Sequence, residues 1–217
     1  METMISLLGT VGSIISVSVS LSPASRMMKV QKTKKLDEVP YLFLLLNHLC
    51  SLSWATYGFI GGYGAIMINN GISTVIGHCF IGWYHQIKGD LASYMLVYTT
   101  AIFASALILI SFIPIDIIGW ICLISNFALY LGPLETSSKA LAEKNPNYID
   151  IFIIGICQVN SLIWMSYGIL VQNNFIVAPC LFGAFLCAFQ ITIYVWANNW
   201  FPMPIYEKLS KLLANKK

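Results

Sequence analysis

The residues best suited to chemistry lie in two matching stretches of the chain, CSLSWATYG at 50–58 and NSLIWMSYG at 160–168. Each stretch carries a Trp, a Tyr and a Gly at the same offsets: Trp54, Tyr57 and Gly58 in the first, Trp164, Tyr167 and Gly168 in the second. An indole ring offers a flat apolar face for stacking, and a tyrosine adds a hydroxyl to an apolar ring. Packed cores and aromatic belts at membrane surfaces use the same residues. The pattern therefore predicts two equivalent aromatic walls, either of a cavity or of a core.

Polar residues that could work beside these walls are few. Asn70 interrupts a long apolar stretch, and a carboxamide there is costly unless it has a partner or lines a wet cavity. Asn160 lies one helical turn before Trp164, and its counterpart in the first stretch is Cys50. No metal-ligand spacing, ATP-binding loop or catalytic triad is visible, so no enzymatic activity, metal or cofactor is expected.

Composition indicates an integral membrane protein. Hydrophobic residues make up 58% of the 217 residues, charged residues only 10%, and the mean hydropathy is +0.75. A helix that crosses a bilayer needs about 20 mostly apolar residues. Seven such stretches are predicted, at 4–23, 41–60, 65–84, 91–114, 117–134, 149–171 and 175–200.

The basic residues predict the orientation of these spans. All 12 Lys and Arg fall in the segments between spans 1 and 2, 3 and 4, 5 and 6, and after span 7. With seven spans those segments share one side, and basic loops stay in the cytosol. The N-terminus is therefore predicted outside and the C-terminus inside. The net charge of +3 is explained by this anchoring at the bilayer, so no nucleic-acid partner is expected.

An internal repeat organises the chain, and its constant offset is the separation between Trp54 and Trp164. Besides the aromatic stretches, this repeat offset relates Gly9 to Gly119, Pro23 to Pro133 and Tyr84 to Tyr194. The predicted architecture is all-α, with two parallel three-helix repeats joined by a linker helix (3+1+3). The predicted divisions are 1–86 for the first repeat, 87–116 for the linker, 117–200 for the second repeat and 201–217 for a cytosolic tail. Parallel repeats of this kind bind substrate near the midplane between the halves.

The chain resembles the SWEET sugar transporters of the MtN3/saliva family. The resemblance rests on the 3+1+3 layout, on the two copies of the Trp-Tyr-Gly motif and on Ser22-Pro23 before a basic loop. It extends to the stretches YGFIGGYGAIMINNGIS at 57–73 and PCLFG at 179–183. It implies a facilitative uniporter for mono- or disaccharides that works by alternating access.

The resemblance also implies roles for the aromatic and polar residues. Trp54 and Trp164 would stack on the sugar from the two halves, and Asn70 would bond its hydroxyls. The family has a second Asn in span 7, where this chain has Cys180, and a thiol is a poor substitute for an amide. Cys50 and Asn160 complete the expected substrate-binding set, and Asn160 is expected to compensate for Cys180.

Gate residues follow from the same resemblance. Pro23 and Pro133 match inner-gate hinge prolines, whereas the other two of the family's four fall on Phe43 and Ile153. Tyr57 and Tyr167 match outer-gate tyrosines, although membrane-interface tyrosines are an alternative interpretation. The Asp that often completes the outer gate is replaced by Tyr63 and Asn173.

Passive transport is favoured because none of the nine acidic residues lies at mid-span. His48 and His78 lie within spans and are interpreted as neutral packing residues, the alternative being a proton relay. Two other functions stay open: a related PQ-loop transporter of amino-acid type, against which the missing Pro-Gln dipeptide counts, and a transport-inactive seven-span membrane partner. Beyond sugar and the lipid bilayer, a homo-oligomer is a possible partner. The tail is predicted to be either loose or a short amphipathic helix with Leu209, Leu212 and Leu213 on one side.

Overall fold

The computed structural model is all-helical and describes residues 1–214, without the side chains at positions 38, 96–97, 103–104 and 107–111. Lys216 and Lys217 of the predicted basic tail lie outside the described residues. The α-helices are α1 (Glu2–Ser20), α2 (Ala24–Thr33), α3 (Tyr41–Ile60), α4 (Gly64–Lys88), α5 (Leu91–Phe112), α6 (Ile115–Leu129), α7 (Leu131–Glu143), α8 (Ile151–Leu170), α9 (Asn174–Ala197) and α10 (Pro204–Ala214). Single 3₁₀ turns lie at Leu36–Glu38 and Pro146–Tyr148.

The helix boundaries repeat with the offset found in the sequence. Helices α3 and α8 begin and end at positions related by the repeat offset, and so do the two 3₁₀ turns. Helices α4 and α9 begin at positions related in the same way. The sequence repeat is therefore also a repeat of local structure.

Residues with a left-handed backbone conformation also recur at the repeat offset. Six described residues have positive φ, and they form three pairs at the repeat offset: Lys34 and Lys144, Gly62 and Gln172, Gly89 and Asn199. Lys34, Lys144 and Gly89 end helices in the left-handed conformation that closes a helix C-terminus. Side chains disfavour this conformation, so its recurrence at Gln172 and Asn199 shows that the turns impose it there.

The first span of each repeat differs from its predicted bounds of 4–23 and 117–134. Each consists of two consecutive helices, α1 with α2 and α6 with α7, which together run further along the chain than predicted. Pro23 occupies the position just before α2, and Pro133 lies in the first turn of α7. A proline is tolerated there because the first amides of a helix lack intrahelical partners.

Six helical segments in the described part of the chain are long and apolar enough to cross a membrane. They correspond to predicted spans 1, 2, 3, 5, 6 and 7. The predicted fourth span coincides with α5, which runs through positions whose side chains are not described.

The chain forms two compact units, Met1–Ala128 and Leu129–Lys217. The division falls within the predicted second repeat of 117–200, so α6 belongs to the first unit. In the first unit Val30 and Val39 belong to a buried core that α2 and α4 share with Tyr94 of α5. Their counterparts Ala140 and Ile149 belong to the core of the second unit, together with Trp196 of α9.

Candidate functional site

The two Trp-Tyr pairs adopt the same local geometry in their separate units. The rings of Trp54 and Tyr57 meet edge-on, with centroids 5.5 Å apart and an interplanar angle of 81°. The rings of Trp164 and Tyr167 meet at 5.3 Å and 70°. Both tryptophans are only 8% exposed, and both tyrosines are buried. Burial within the protein contradicts the alternative of a lipid-facing aromatic belt.

The glycine of each motif lets the next helix approach closely. A Cβ on Gly58 would lie 2.6 Å from the backbone nitrogen of Met67 in α4. A Cβ on Gly168 would lie 2.9 Å from Cγ2 of Ile176 in α9. The motif therefore combines an aromatic wall with a contact between helices that leaves no room for a side chain.

Each aromatic wall is followed by a turn, and the two turns have the same hydrogen bond. The amide of Tyr63 donates to the carbonyl of Gly58 at 2.8 Å, and the amide of Asn173 donates to that of Gly168 at 2.9 Å. Tyr63 stacks on Tyr57, with 5.9 Å between centroids. The Asn173 side chain instead caps α9 by accepting from the amide of Phe175 at 3.0 Å. The two positions that replace the expected Asp thus carry different contacts.

Cys50 is buried one turn before Trp54, and its thiol interacts with the side chains of Trp54 and of Ser125 in α6. Asn160, its counterpart, is half-buried in α8. The structure therefore places Cys50 beside the first aromatic wall.

The two asparagines of α4 differ in their surroundings. Asn70 is half-buried, and its Nδ2 donates to the carbonyl of Ile66 at 2.9 Å. Asn69 is buried, and its Oδ1 has no hydrogen-bond partner among the described residues. Among the described residues, Asn69 therefore makes no hydrogen bond to another helix through Oδ1.

Cys180 lies in α9 beside a feature that sequence reasoning missed. The hydroxyl of Tyr130 donates to the carbonyl of Pro179 at 2.9 Å. A Cβ on Gly183 would lie 2.6 Å from that hydroxyl, so the glycine makes room for the tyrosine. At the equivalent positions of the first repeat, Ser20 and Ser73 share a hydrogen bond of 2.9 Å. Comparison of the two repeats in the sequence could have revealed this contact, because Ser20 and Ser73 of the first repeat are matched by Tyr130 and Gly183 in the second.

The two predicted hinge prolines have different surroundings. The carbonyl of Pro133 accepts from Ser137 Oγ at 2.7 Å and from Gln190 Nε2 of α9 at 3.0 Å. Pro23 precedes α2, and its carbonyl accepts the amide of Met27 at 2.9 Å. A side chain of α9 therefore attaches to the Pro133 segment, which the sequence did not predict.

A cluster of imidazole and phenol rings joins α3, α4 and α5. His48 is fully buried, and neither of its ring nitrogens has a hydrogen-bond partner in the described part of the chain. Its ring lies 5.7 Å from those of His78 and Tyr98. A hydrogen bond of 3.1 Å joins the Tyr94 hydroxyl to His78 Nδ1. These contacts place both histidines at the seam between α3, α4 and α5, against the phenol rings of α5.

Three polar side chains, those of His85, Lys88 and Asp90, interact at the end of α4. Asp90 accepts from Lys88 Nζ at 2.7 Å and pairs with Nδ1 of His85 at 2.7 Å. The hydrogen bond from Lys88, followed by that from His85, lowers the pKa of the Asp90 carboxyl. The Asp90 carboxylate therefore stays ionised at neutral pH, at the end of a candidate span.

The six apolar spans in the described part of the chain indicate an integral multi-pass membrane protein, and the buried Trp-Tyr pair occurs twice in it. The profile of the family described as "Sugar efflux transporter for intercellular exchange" (MtN3_slv) matches residues 6–89 and again 116–199. The chain belongs to this family, whose members are transport proteins and not enzymes. The two matched segments begin and end at positions related by the repeat offset.

Named relatives agree with this assignment. The chain is 26% identical to the bidirectional sugar transporter SWEET8 of Arabidopsis thaliana, over 87% of this chain and 85% of that protein. It is 28% identical to the bidirectional sugar transporter SWEET7b of Oryza sativa subsp. japonica, over 87% and 76%. The solved structure of a eukaryotic SWEET transporter shares the fold, with a TM-score of 0.76 and 20% identity, over 91% of this chain and 98% of that one.

Proposed function

We propose that this protein is a bidirectional facilitative transporter of mono- or disaccharides. The observation that carries the proposal is the pair of matching, buried Trp-Tyr walls, one in each copy of the family's repeat. Relatives that share this repeat are named bidirectional sugar transporters. Indole faces suit the C–H surface of a sugar ring because they offer flat apolar area.

The proposed architecture has seven spans in a 3+1+3 arrangement, with α5 as the linker span. The N-terminus lies outside and the C-terminus in the cytosol. Support comes from the position of the basic residues, which lie in α2 and the turn after it, at the end of α4, in and after α7, and in α10. Alternating access of two parallel repeats is the mechanism that suits this layout.

In the proposed site Trp54 and Trp164 stack on the sugar, and Asn70 bonds its hydroxyl groups. Cys50, Asn160 and Cys180 contribute the remaining lining. The thiol of Cys180 makes the site less polar on the side of the second repeat, which favours a substrate that needs fewer hydrogen bonds there.

Gating is proposed to use the inner hinges at Pro23 and Pro133 and the outer tyrosines Tyr57 and Tyr167. The burial of both tyrosines supports a gate role over a membrane-surface role. We expect the second hinge to be the stiffer one because Gln190 of α9 donates a hydrogen bond to the Pro133 carbonyl.

Transport is proposed to be passive. Ion pairs engage Asp90 with Lys88, Glu135 with Lys139 and Glu207 with Lys144. The first pair lies at the end of α4 and the third joins the residue after α7 to the first turn of α10, whereas the second lies within α7 with both side chains exposed. Coupling to an ion gradient usually needs an ionisable group within the membrane. His48 and His78 are the exceptions to check, since both lie in spans.

The decisive experiment is uptake of radiolabelled glucose and sucrose into proteoliposomes without an ion gradient, comparing wild type with Cys180→Asn. Equilibration of either sugar by wild type supports the proposal, and Trp54→Ala in matched vesicles controls for leakage. Transport by Cys180→Asn alone means that the natural substrate differs or that wild type has lost transport. Amino-acid uptake without sugar uptake favours the PQ-loop alternative, and no uptake at all favours a transport-inactive partner.

A homo-oligomer is part of the proposal. Size-exclusion chromatography with light scattering in detergent measures the protein mass directly. A mass close to 24.1 kDa, that of one chain, contradicts this part without affecting the transport proposal.

A further inference from the structure

The C-terminal helix α10 begins a short connection after α9 ends and presents three different sides. Residues three and four apart in a helix share one side. Tyr206, Ser210 and Leu213 form an inner side, and all three are half-buried. Ile205, Leu209 and Leu212 form a second side, and all three are exposed. The predicted single face of Leu209, Leu212 and Leu213 is therefore split, because Leu213 packs on the core of the second unit.

The inner side, together with Glu207, fastens α10 to α7 and α9. The Tyr206 hydroxyl shares a hydrogen bond of 2.6 Å with Oγ1 of Thr192 in α9. Glu207 Oε1 accepts from Lys144 Nζ at 2.6 Å and from Trp196 Nε1 at 3.2 Å. The Lys144 ammonium also lies 4.9 Å from the centre of the Trp196 ring. Because α10 is held this way, its second side has a fixed direction away from the protein.

That second side is apolar and is continuous with the end of a membrane span. Ile205 is 67% exposed and Leu212 is 58% exposed. Trp200 and Phe201, which follow α9 directly, are exposed as well. Five large apolar side chains thus follow a candidate span. The end of a helix that crosses a bilayer lies where acyl chains give way to headgroups. An amphipathic helix with such a side lies in the plane of this boundary.

The third side of α10 is formed by Lys208 and Lys211 and carries positive charge. Lys208 and Lys211 are exposed, and Lys208 flanks the apolar side. Lys144 neutralises Glu207, the one acid of α10. The hydrogen bond from Lys144 holds the pKa of the Glu207 carboxyl below its ordinary value, so this pair persists at neutral pH. The outward charge of α10 is therefore positive, which suits an anionic headgroup surface.

We propose that α10 is an interfacial helix whose side formed by Ile205, Leu209 and Leu212 lies in the headgroup boundary of an anionic bilayer. Its inner side and Glu207 stay attached to α7 and α9. The lipid surface thereby contacts the helix that holds the end of α7, the segment that contains Pro133. This inference does not depend on sugar transport.

Spin labels on the full chain in liposomes test it. Cysteines are added one at a time at positions 205, 209 and 212, and at 208 and 211 as matched controls on the same helix. Replacement of the exposed Cys79 by Ala supplies the background, and the background protein without an added cysteine controls for labelling elsewhere. Electron paramagnetic resonance then measures the accessibility of each label to oxygen, which concentrates in lipid, and to a water-soluble nickel complex.

The expected result is a ratio of oxygen to nickel accessibility several-fold higher at 205, 209 and 212 than at 208 and 211, in liposomes with anionic lipid. A fall in that ratio in purely zwitterionic liposomes supports the role of the lysines, and an unchanged ratio overturns it. Exclusion of both reagents at 205, 209 and 212 overturns the proposal in favour of a protein partner or a second copy. High nickel accessibility at all five positions overturns it in favour of a free cytosolic helix.

Discussion

The two repeats of this chain have the same backbone plan but different polar chemistry. Equivalent helices, turns and left-handed residues recur at one offset, and so do the aromatic walls. The polar positions differ: His48 is matched by Gln158, Asn70 by Cys180 and the Ser20–Ser73 hydrogen bond by Tyr130 with Gly183. The two repeats share backbone geometry because a change in the backbone disrupts the packing of whole helices. Two side chains in contact can differ between the repeats when both change together and still fill the same space.

The helices that follow the two repeats differ in the same way. After the first repeat, α5 packs on α3 and α4 through a seam of imidazole and phenol rings. After the second, the short α10 is fastened by an ion pair, an indole and a hydroxyl at the ends of α7 and α9. The first repeat thus has a lateral contact along its helices, and the second has a contact at one end.

Among the substitutions considered, removal of an aromatic wall should reduce sugar uptake the most. Trp54→Ala and Trp164→Ala should each reduce sugar uptake in proteoliposomes by about tenfold or more, since about 1.4 kcal/mol of lost binding corresponds to a factor of ten. Equal losses would show that the two walls are functionally equivalent. Folding is monitored by size-exclusion chromatography, and near-normal uptake by either folded variant contradicts its role in the site.

The two motif glycines should respond differently to the same substitution. Gly58→Ala places a Cβ against the backbone of α4, which cannot yield, so a cost of roughly 1–3 kcal/mol is expected. Gly168→Ala meets the side chains of Ile176 and Val177, which can shift, so its cost should be smaller. Thermal unfolding in detergent compares the two variants, and a larger loss of stability for Gly168→Ala would contradict the geometry.

The Tyr130–Gly183 contact, which stands where the first repeat has a serine pair, can be tested by rescue. Gly183→Ala should lower thermal stability because the new methyl group meets the Tyr130 hydroxyl. Removal of that hydroxyl in Tyr130→Phe together with Gly183→Ala should restore most of the loss, apart from the Pro179 hydrogen bond. If the double variant is as unstable as the sum of the single variants, the two positions are not coupled.

The histidine seam should matter little for transport. His48→Gln installs the residue that the second repeat carries at Gln158 and leaves the ring cluster without one imidazole. Uptake is expected to change by less than about twofold. Collapse of a proton gradient should not alter it, because a histidine that only packs against its neighbours transfers no proton during transport. Loss of uptake in either measurement would show that His48 or His78 takes part in proton transfer.

The pH dependence of the α10 contact should be the smallest effect. The lowered pKa of Glu207 means that its ion pair with Lys144 contributes fully at neutral pH. The contribution is lost only as the pH falls through the lowered pKa, below the ordinary range of a carboxyl group. Proteolysis of the tail should therefore be unchanged between pH 7 and about 5.5. Tail release within that range would contradict the pairing, and Glu207→Gln serves as the control for a tail without the ion pair.

Several features of this protein can be predicted from the sequence alone. The membrane class, the repeat offset and the matching walls at Trp54 and Trp164 follow from apolar run length and from residue identity. Both signals are local or periodic, so they need no coordinates. The family resemblance drawn from them was confirmed by the two profile matches.

Other features were decided only in the tertiary structure. The sequence did not predict that α6 belongs to the first compact unit, that Gly58 contacts the backbone of α4, or that Gln190 attaches to the Pro133 segment. The tail shows the reason most clearly, since periodicity placed Leu213 with Leu209 and Leu212. Helical spacing defines which residues share a side, but only the neighbouring helices decide which side is buried.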